Sequence, residues 1–333
     1  INLLLNFMNT IQGECIQQDL KTLDVSILIV FSIVGSIGNV LILLSILMFP
    51  NMRRSMNIFI ASISVADLIN CCYSMPWTIY YRINCFPMVK DIWCTFNGFM
   101  LFLCAGVANF SFMFIAVNRR FFVLNRMTYN KIFSNKKIIF YTIFIWIFWT
   151  GFGVLIYFLN AFHYIPNSFI CFYFDDLAPF EASAGFTIFG VAIPSFLSTI
   201  CYISIFYNMI KIKRKITQSV SVNSSVIRGQ QTGVTQLETQ EKKAIISAVV
   251  AFVFFNTCWT PYCIHVYIDH FAFSIPPLVH KTIIWMAMIN SSFNPIIYGL
   301  LNTKFRFSIM NIIRCKFGRN QSSNSSVFIS KMN

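Results

Sequence analysis

Residues 94–119 read Cys94-Thr-Phe-Asn-Gly-Phe-Met-Leu-Phe-Leu-Cys-Ala-Gly-Val-Ala-Asn-Phe-Ser-Phe-Met-Phe-Ile-Ala-Val-Asn-Arg119. The run is almost wholly apolar, with a cysteine at one end and an arginine at the other. As an α-helix it extends about 37 Å, enough to cross a hydrocarbon core of about 30 Å with some tilt. Such a helix sets Cys94 in an oxidising outer compartment and Arg119 at the cytoplasmic face. It can carry a signal between the two.

The rest of the chain has the same character. Of its 333 residues 57% are hydrophobic and 11% charged, against about 25% charged in a soluble domain. Seven apolar segments of membrane-crossing length are expected at 25–48, 57–80, 92–124, 137–159, 182–210, 243–268 and 277–301. All of the 25 Lys and Arg residues except Lys21, Arg82, Lys90 and Lys281 fall in the connections on one side and in the tail. Of the eleven acids, only Glu238 and Glu241 share that side, and Asp67 lies inside a segment. The positive-inside rule then places the N-terminus outside and the C-terminus in the cytosol of a multi-pass plasma-membrane protein. The basic charge is a topology signal, which removes nucleic acid as a partner.

Taken in order, residues 1–24 form an outer N-terminus, with Ile1–Met8 too short and lacking the basic flank of a signal peptide. Gly35, Gly38 and Asn39 share one face of the first segment, as close helix packing requires. Asp67 lies ten residues inside the second, and an ionisable side chain at that depth is costly unless it serves a function. Pro76 is expected to kink that helix. Cys94 needs a partner, and Cys171 lies in a connection on the same side, so a Cys94–Cys171 disulfide is expected over the bundle mouth. Cys15 and Cys85 also face outside, leaving a second bridge open. The cysteines inside the segments read as apolar filler.

Trp146 is read as facing inward from the fourth segment, and Pro194 breaks the fifth, with Tyr202 two turns further on. Residues 216–240 are rich in Ser, Thr, Gln and Asn and are expected to form a flexible cytoplasmic loop. In the sixth, Phe255-Asn-Thr-Cys-Trp259-Thr-Pro261 makes a proline hinge beside a Trp lever. In the seventh, Asn290, Ser291, Asn294 and Pro295 precede Tyr298, with Asn290 and Asn294 one turn apart and able to point at Asp67. These groups suit a hydrated sodium or proton site. Residues 302–315 form an amphipathic helix along the inner leaflet, with Phe305, Ile309, Ile312 and Ile313 on one face. Cys315 follows as a palmitoylation candidate, and 316–333 is a disordered tail.

Together these elements resemble a rhodopsin-like (class A) G-protein-coupled receptor over nearly the whole chain. The matching residues are Gly38-Asn39, Asp67, Cys94 with Cys171, Arg119, Trp146, Pro194 with Tyr202, Cys258-Trp259-Thr260-Pro261 and Asn294-Pro295-Ile296-Ile297-Tyr298. The resemblance implies an all-α seven-helix membrane bundle with a short amphipathic helix after the seventh span. It implies a receptor, not an enzyme, that passes a ligand signal to heterotrimeric G proteins by outward movement of the sixth helix. Receptor kinases and arrestin follow as partners. Arg119, Tyr202 and Tyr298 would rearrange, and Glu241 would restrain Arg119. Asp67, Asn290, Ser291 and Asn294 match the family's allosteric sodium pocket, and no other cofactor is implied.

The departures matter as much. Asn118-Arg119-Arg120 stands where the family usually has Asp-Arg-Tyr, Ala108 where a serine often completes the sodium pocket, and the fourth helix lacks its usual outer proline. Asn118-Arg119 and Tyr298-Gly-Leu-Leu-Asn-Thr-Lys-Phe-Arg306 resemble melatonin receptors and invertebrate orphan receptors, which implies an inhibitory-type G protein. Yet Ile156 and Gly190 align where melatonin receptors place their ligand-binding Asn and His, so melatonin is disfavoured. Leu101 replaces the aspartate of amine receptors, and Met288 the retinal lysine of opsins. Leu101, Phe186, Thr187, Trp259, Tyr262, Cys263, His280, Ile284 and Met288 then line an apolar, aromatic cavity suited to a neutral or lipid-like small molecule. An acidic outer surface keeps a basic neuropeptide as the alternative ligand. A transporter or channel is the alternative from another class, but it needs a continuous polar path or internal repeats, and neither is visible.

Overall fold

The computed structural model describes residues 18–84, 92–159, 161–165, 168–173, 184–220, 231–270 and 276–315. In hydrocarbon no water meets a backbone N–H or C=O, so each crossing must close its own hydrogen bonds, which a helix does. The helices are α1 (Gln18–Met48), α2, α3 (Ile92–Leu124), α4 (Asn135–Phe158), α5, α6 (Gln231–His270), α7 and α8 (Thr303–Ile313). Three of them are composite. α2 joins Ser55–Ile69 to Met75–Asn84 through a π turn at Asn70–Ser74; α5 joins a π stretch at Phe186–Ala192 to Ile193–Val220. α7 joins Pro277–Ile289 to Asn294–Leu301 through a 3-10 turn at Asn290–Ser292. Six spans are long and apolar enough to cross a membrane, and the two halves of α7, bent by 45°, make a seventh. This is an all-helical multi-pass membrane bundle, as expected, with the short helix following the last span.

α3 spans the residues the sequence marks for it and forms the axis, with α2, α4 and α5 packed around it. Within 216–240, where a flexible loop is expected, the backbone is helical to Val220 and again from Gln231, and 221–230 lie outside the described residues. Residues 1–17, 85–91 and 316–333, and with them Cys15 and Cys85, lie outside the described residues.

The prolines explain the irregular turns. A proline lacks the N–H that closes an α-turn, and its ring crowds the carbonyl one turn earlier. Pro76 and Pro194 each follow a π segment, and Pro295 follows the 3-10 turn. Local rewinding absorbs the clash in each case. Pro261 sits inside α6 with no such relief. It leaves the carbonyl of Thr257 without its usual amide.

At one end of the bundle a hairpin of β1 (Phe162–Ile165) and β2 (Ile170–Tyr173) lies against α3, with Tyr164 opposite Cys171. The Cys94–Cys171 disulfide is present, its Cα atoms 5.2 Å apart. We call this the disulfide end and the opposite one the basic end. At the basic end Asn302 caps α8, its side chain accepting from the Lys304 amide at 3.1 Å, and Phe305 packs beneath Tyr298. Phe305 is buried, Ile309 and Ile312 are part-buried, and Ile313 is exposed.

Small residues set the helix spacing. Trp146 does reach inward, donating to Ser62 Oγ at 3.0 Å, but Trp149 is the deeper ring and lies directly over Gly106 of α3. A methyl group built on Gly38 would sit 2.6 Å from the Pro295 ring, whereas one on Gly151 meets nothing within 4 Å. A proline ring cannot swing aside, so Gly38→Ala is expected to push α1 from α7 and cost about 1–3 kcal/mol. Thermal melting of the detergent-solubilised protein checks this: Gly38→Ala should melt lower, and Gly151→Ala should match the parent.

Candidate functional site

The polar residues of α1, α2 and α7 meet in the middle of the bundle. Asp67 accepts from Asn294 Nδ2 at 2.8 Å and is also bonded by the Ser291 hydroxyl. Ser291 is the hub: its carbonyl accepts from Asn39 Nδ2 at 3.1 Å, and its hydroxyl from Asn70 Nδ2 at 2.8 Å. Asn70 also donates to the Met288 carbonyl at 2.9 Å. The sequence reading brought Asp67, Ser291 and Asn294 together, and they are together. Asn290 is buried in the same layer with Oδ1 unpartnered among the described residues. The reading missed Asn70, which the π turn of α2 carries. The side-chain oxygens of Asn39, Asn70, Asn290 and Asn294 are all buried without a hydrogen-bond partner among the described residues. A carboxylate among orphaned amide oxygens is a donor set for a hard cation. Ala108, buried, adds no oxygen.

At the basic end one carboxylate serves three cations. Glu241 Oε2 lies 2.9 Å from Arg119 Nη1, and its Oε1 lies 2.7 Å from Arg54 Nη1 and 3.6 Å from Lys304 Nζ. Thus α6 is tied to α3, to the residue before α2 and to α8. The Arg119 contact was expected; those with Arg54 and Lys304 were not, because nothing in the chain order places them near Glu241. Arg119 has further neighbours, with Nε 2.6 Å from Met56 Sδ and its guanidinium 5.7 Å from the Phe122 ring. Glu241 is therefore one of several groups that hold Arg119. Burial, with the Arg54 charge, pushes the Lys304 ammonium below its ordinary value, and Glu241 pulls it back up. Asn118 Nδ2, the Tyr202 hydroxyl and the Tyr298 hydroxyl are buried without partners among the described residues. Such unsatisfied groups each cost about 1–3 kcal/mol, which lowers the barrier to rearrangement. Cys315 is exposed just beyond α8, with a left-handed φ of 51°.

The cavity expected between the helices is filled. Phe255 stacks on Trp259, and Phe172 of β2 descends onto Trp259 and Tyr262, with ring centroids 6.3 and 5.3 Å away. Leu101, Trp259, Tyr262, Ile284 and Met288 do converge, joined by Ile170, Phe172 and Ala287, around a void of only about 20 Å³. That is too small for any ligand beyond a water molecule. Phe186 instead faces α3 and α4, 4.7 Å from the Phe102 ring centroid. Neither Thr187 nor Cys263 lines the void. The hairpin supplies the filling side chains, and alternating apolar residues over four positions gave no sign of their depth.

A second carboxylate organises the disulfide end. Asp24 of α1 meets Arg82 Nε of α2 at 2.8 Å and Lys281 Nζ of α7 at 2.9 Å. Arg82 lies over the Phe169 ring at 4.5 Å. Neighbouring Ser168 bonds His280 Nδ1 at 2.8 Å through its hydroxyl, and its carbonyl accepts from Trp285 Nε1 at 2.8 Å. His280 is therefore an anchor for the hairpin and not a residue lining the void. The hairpin is clamped to α3 by the disulfide and to α7 by these bonds.

A bundle of seven spans, a hairpin bridged to the third and a polar junction of the first, second and seventh can be compared with known proteins. The 7 transmembrane receptor (rhodopsin family) profile matches residues 38–298. The chain is 26% identical to melatonin receptor type 1C of Gallus gallus over 297 residues, 86% of this chain and 81% of the relative. It is 26% identical to melatonin receptor type 1A of Ovis aries over 293 residues, covering 86% and 76%. With melatonin receptor type 1B-B of Danio rerio the identity is 24% over 298 residues, covering 86% and 80%. The match spans the helices that carry the polar junction, Arg119, Glu241 and Trp259, and the chain belongs to the rhodopsin family of seven-transmembrane receptors.

Proposed function

We propose that the chain couples a ligand to a heterotrimeric G protein by letting the basic end of α6 swing away from α3. The observation that carries this is the Glu241 cluster. One half-buried carboxylate ties α6 to Arg119, Arg54 and Lys304. Breaking it would free the base of α6 and bare a cavity for a Gα subunit. Pro261, unrelieved by any π turn, would let α6 bend there, and Trp259, two residues earlier, packs against Phe172. Where the family commonly has an acid before the arginine, Asn118 holds no charge. The restraint then falls on Glu241. The basic surroundings support an orientation with this end in the cytosol, and the relatives' resemblance makes an inhibitory-type Gα the first class to test.

Sodium is the further ligand this reading implies. Asp67, Asn290, Ser291 and Asn294, with Asn39 and Asn70, would hold the ion, and its charge would neutralise Asp67 and pull α2 and α7 together. Loss of the ion would loosen the junction beside the 45° bend of α7.

Three outcomes test these statements. Glu241→Gln removes the charge and keeps the shape. It should raise ligand-free nucleotide exchange roughly fivefold or more, the lower range of ordinary coupling energies. Equal exchange at equal surface expression would refute the restraint. Arg119→Ala should abolish exchange on every Gα class with surface delivery unchanged, and retained exchange would sink its assigned part. Sodium chloride should depress basal exchange of the parent more than potassium chloride does, and Asp67→Asn should erase that difference.

A further inference from the structure

The void above Trp259 is small, and a larger space lies on the membrane face of α6. A groove of about 890 Å³ runs along α6 past Pro261, between α5 and α7, within the ordinary size of a small-molecule site. Its surface is mostly apolar, from Phe252, Val253, Ile264 and Ile283 among others, while Thr199, Asn256, Thr257 and Thr260 also line it. Val253 and Ile264 are each 53% exposed, so the groove opens toward the bilayer. No charged side chain lines it among the described residues.

One polar group in it is out of place. His265 lines the groove, is only 5% exposed, and neither ring nitrogen has a hydrogen-bond partner among the described residues. Its ring packs edge-on against His280, centroids 4.4 Å apart, which holds it in position. His280 is itself spoken for by Ser168. A neutral imidazole offers one donor and one acceptor, and a buried pair of this kind without a partner is costly. A hydroxyl satisfies either nitrogen.

We propose that this groove binds a neutral amphiphile, an apolar chain or ring body bearing a hydroxyl head, that enters from the bilayer and hydrogen-bonds to His265. The body would lie against Pro261 of α6. The absence of charged lining among the described residues disfavours an ionic head. The site deepens the receptor reading and rests on it for any effect on signalling.

The test uses the full chain in lipid nanodiscs and, as probe, a long-chain primary alcohol carrying a mid-chain diazirine. Photolabelling of α6 and α7 should saturate, should be competed by the unlabelled alcohol and should not be competed by the matching alkane. His265→Phe keeps the ring packing and should lower the labelling about tenfold. Ile283→Trp fills the groove from α7 and should lower it as far, with both variants checked for parental melting. Labelling that never saturates, that the alkane competes equally, or that Ile283→Trp leaves intact would reduce the groove to an annular lipid contact and overturn the proposal. Nucleotide exchange in the same nanodiscs separates the two readings. Labelling lost while exchange persists overturns the site alone; saturable, His265-dependent labelling without exchange supports the site and counts against coupling.

Discussion

Hydrocarbon gives a buried polar group nowhere to turn except to another part of the protein, and the amides of α1, α2 and α7 answer that demand by bonding across helices. Asn39, Asn70, Ser291, Asn294 and Asp67 share their hydrogen bonds among three spans. Gly38 permits the approach that makes this feasible, because Pro295 occupies the space a side chain would need. Once these three helices are joined, α3 has a fixed wall to pack on. The hairpin then has a fixed rim to sit on.

Two carboxylates hold the ends of this frame, and they hold different helices. Asp24 links α1, α2 and α7 at the disulfide end, all members of the fixed frame. Glu241 links α6 to α3, to α8 and to the residue before α2 at the basic end. Such pairs contribute modestly to stability, since burial costs the Asp24 partners their hydration and exposure screens the Arg54 pair. Their value here is positional. The first closes a frame on itself, while the second tethers a helix that carries a proline 20 residues further on. The tether belongs where motion is to be controlled.

Much of the frame was readable in the chain because membrane burial writes plain signals. Long apolar runs marked the spans, charge asymmetry marked their order, and an aspartate at mid-depth marked the polar junction. What escaped was set by side-chain reach across the bundle. Arg54 and Lys304 lie 187 and 63 residues from Glu241, and their pairing is visible only once α2, α6 and α8 converge. Asn70 was hidden because a π turn shifts the face on which it points, and no helical periodicity anticipates that shift. The cavity residues were mostly located correctly, yet their emptiness was assumed. Phe172 and Ile170 belong to a connection, and periodicity in a four-residue strand carries no depth.

The seating of Phe172 on Trp259 has an evolutionary reading. Membrane helices evolve under packing on every side, whereas a connecting hairpin tolerates substitution at the surface. Here the ring touching the lever beside the α6 bend is lent by that freer segment, held in place by one disulfide and a few hydrogen bonds. If α6 moves as proposed, exchanging that one loop side chain would change what holds Trp259 at rest.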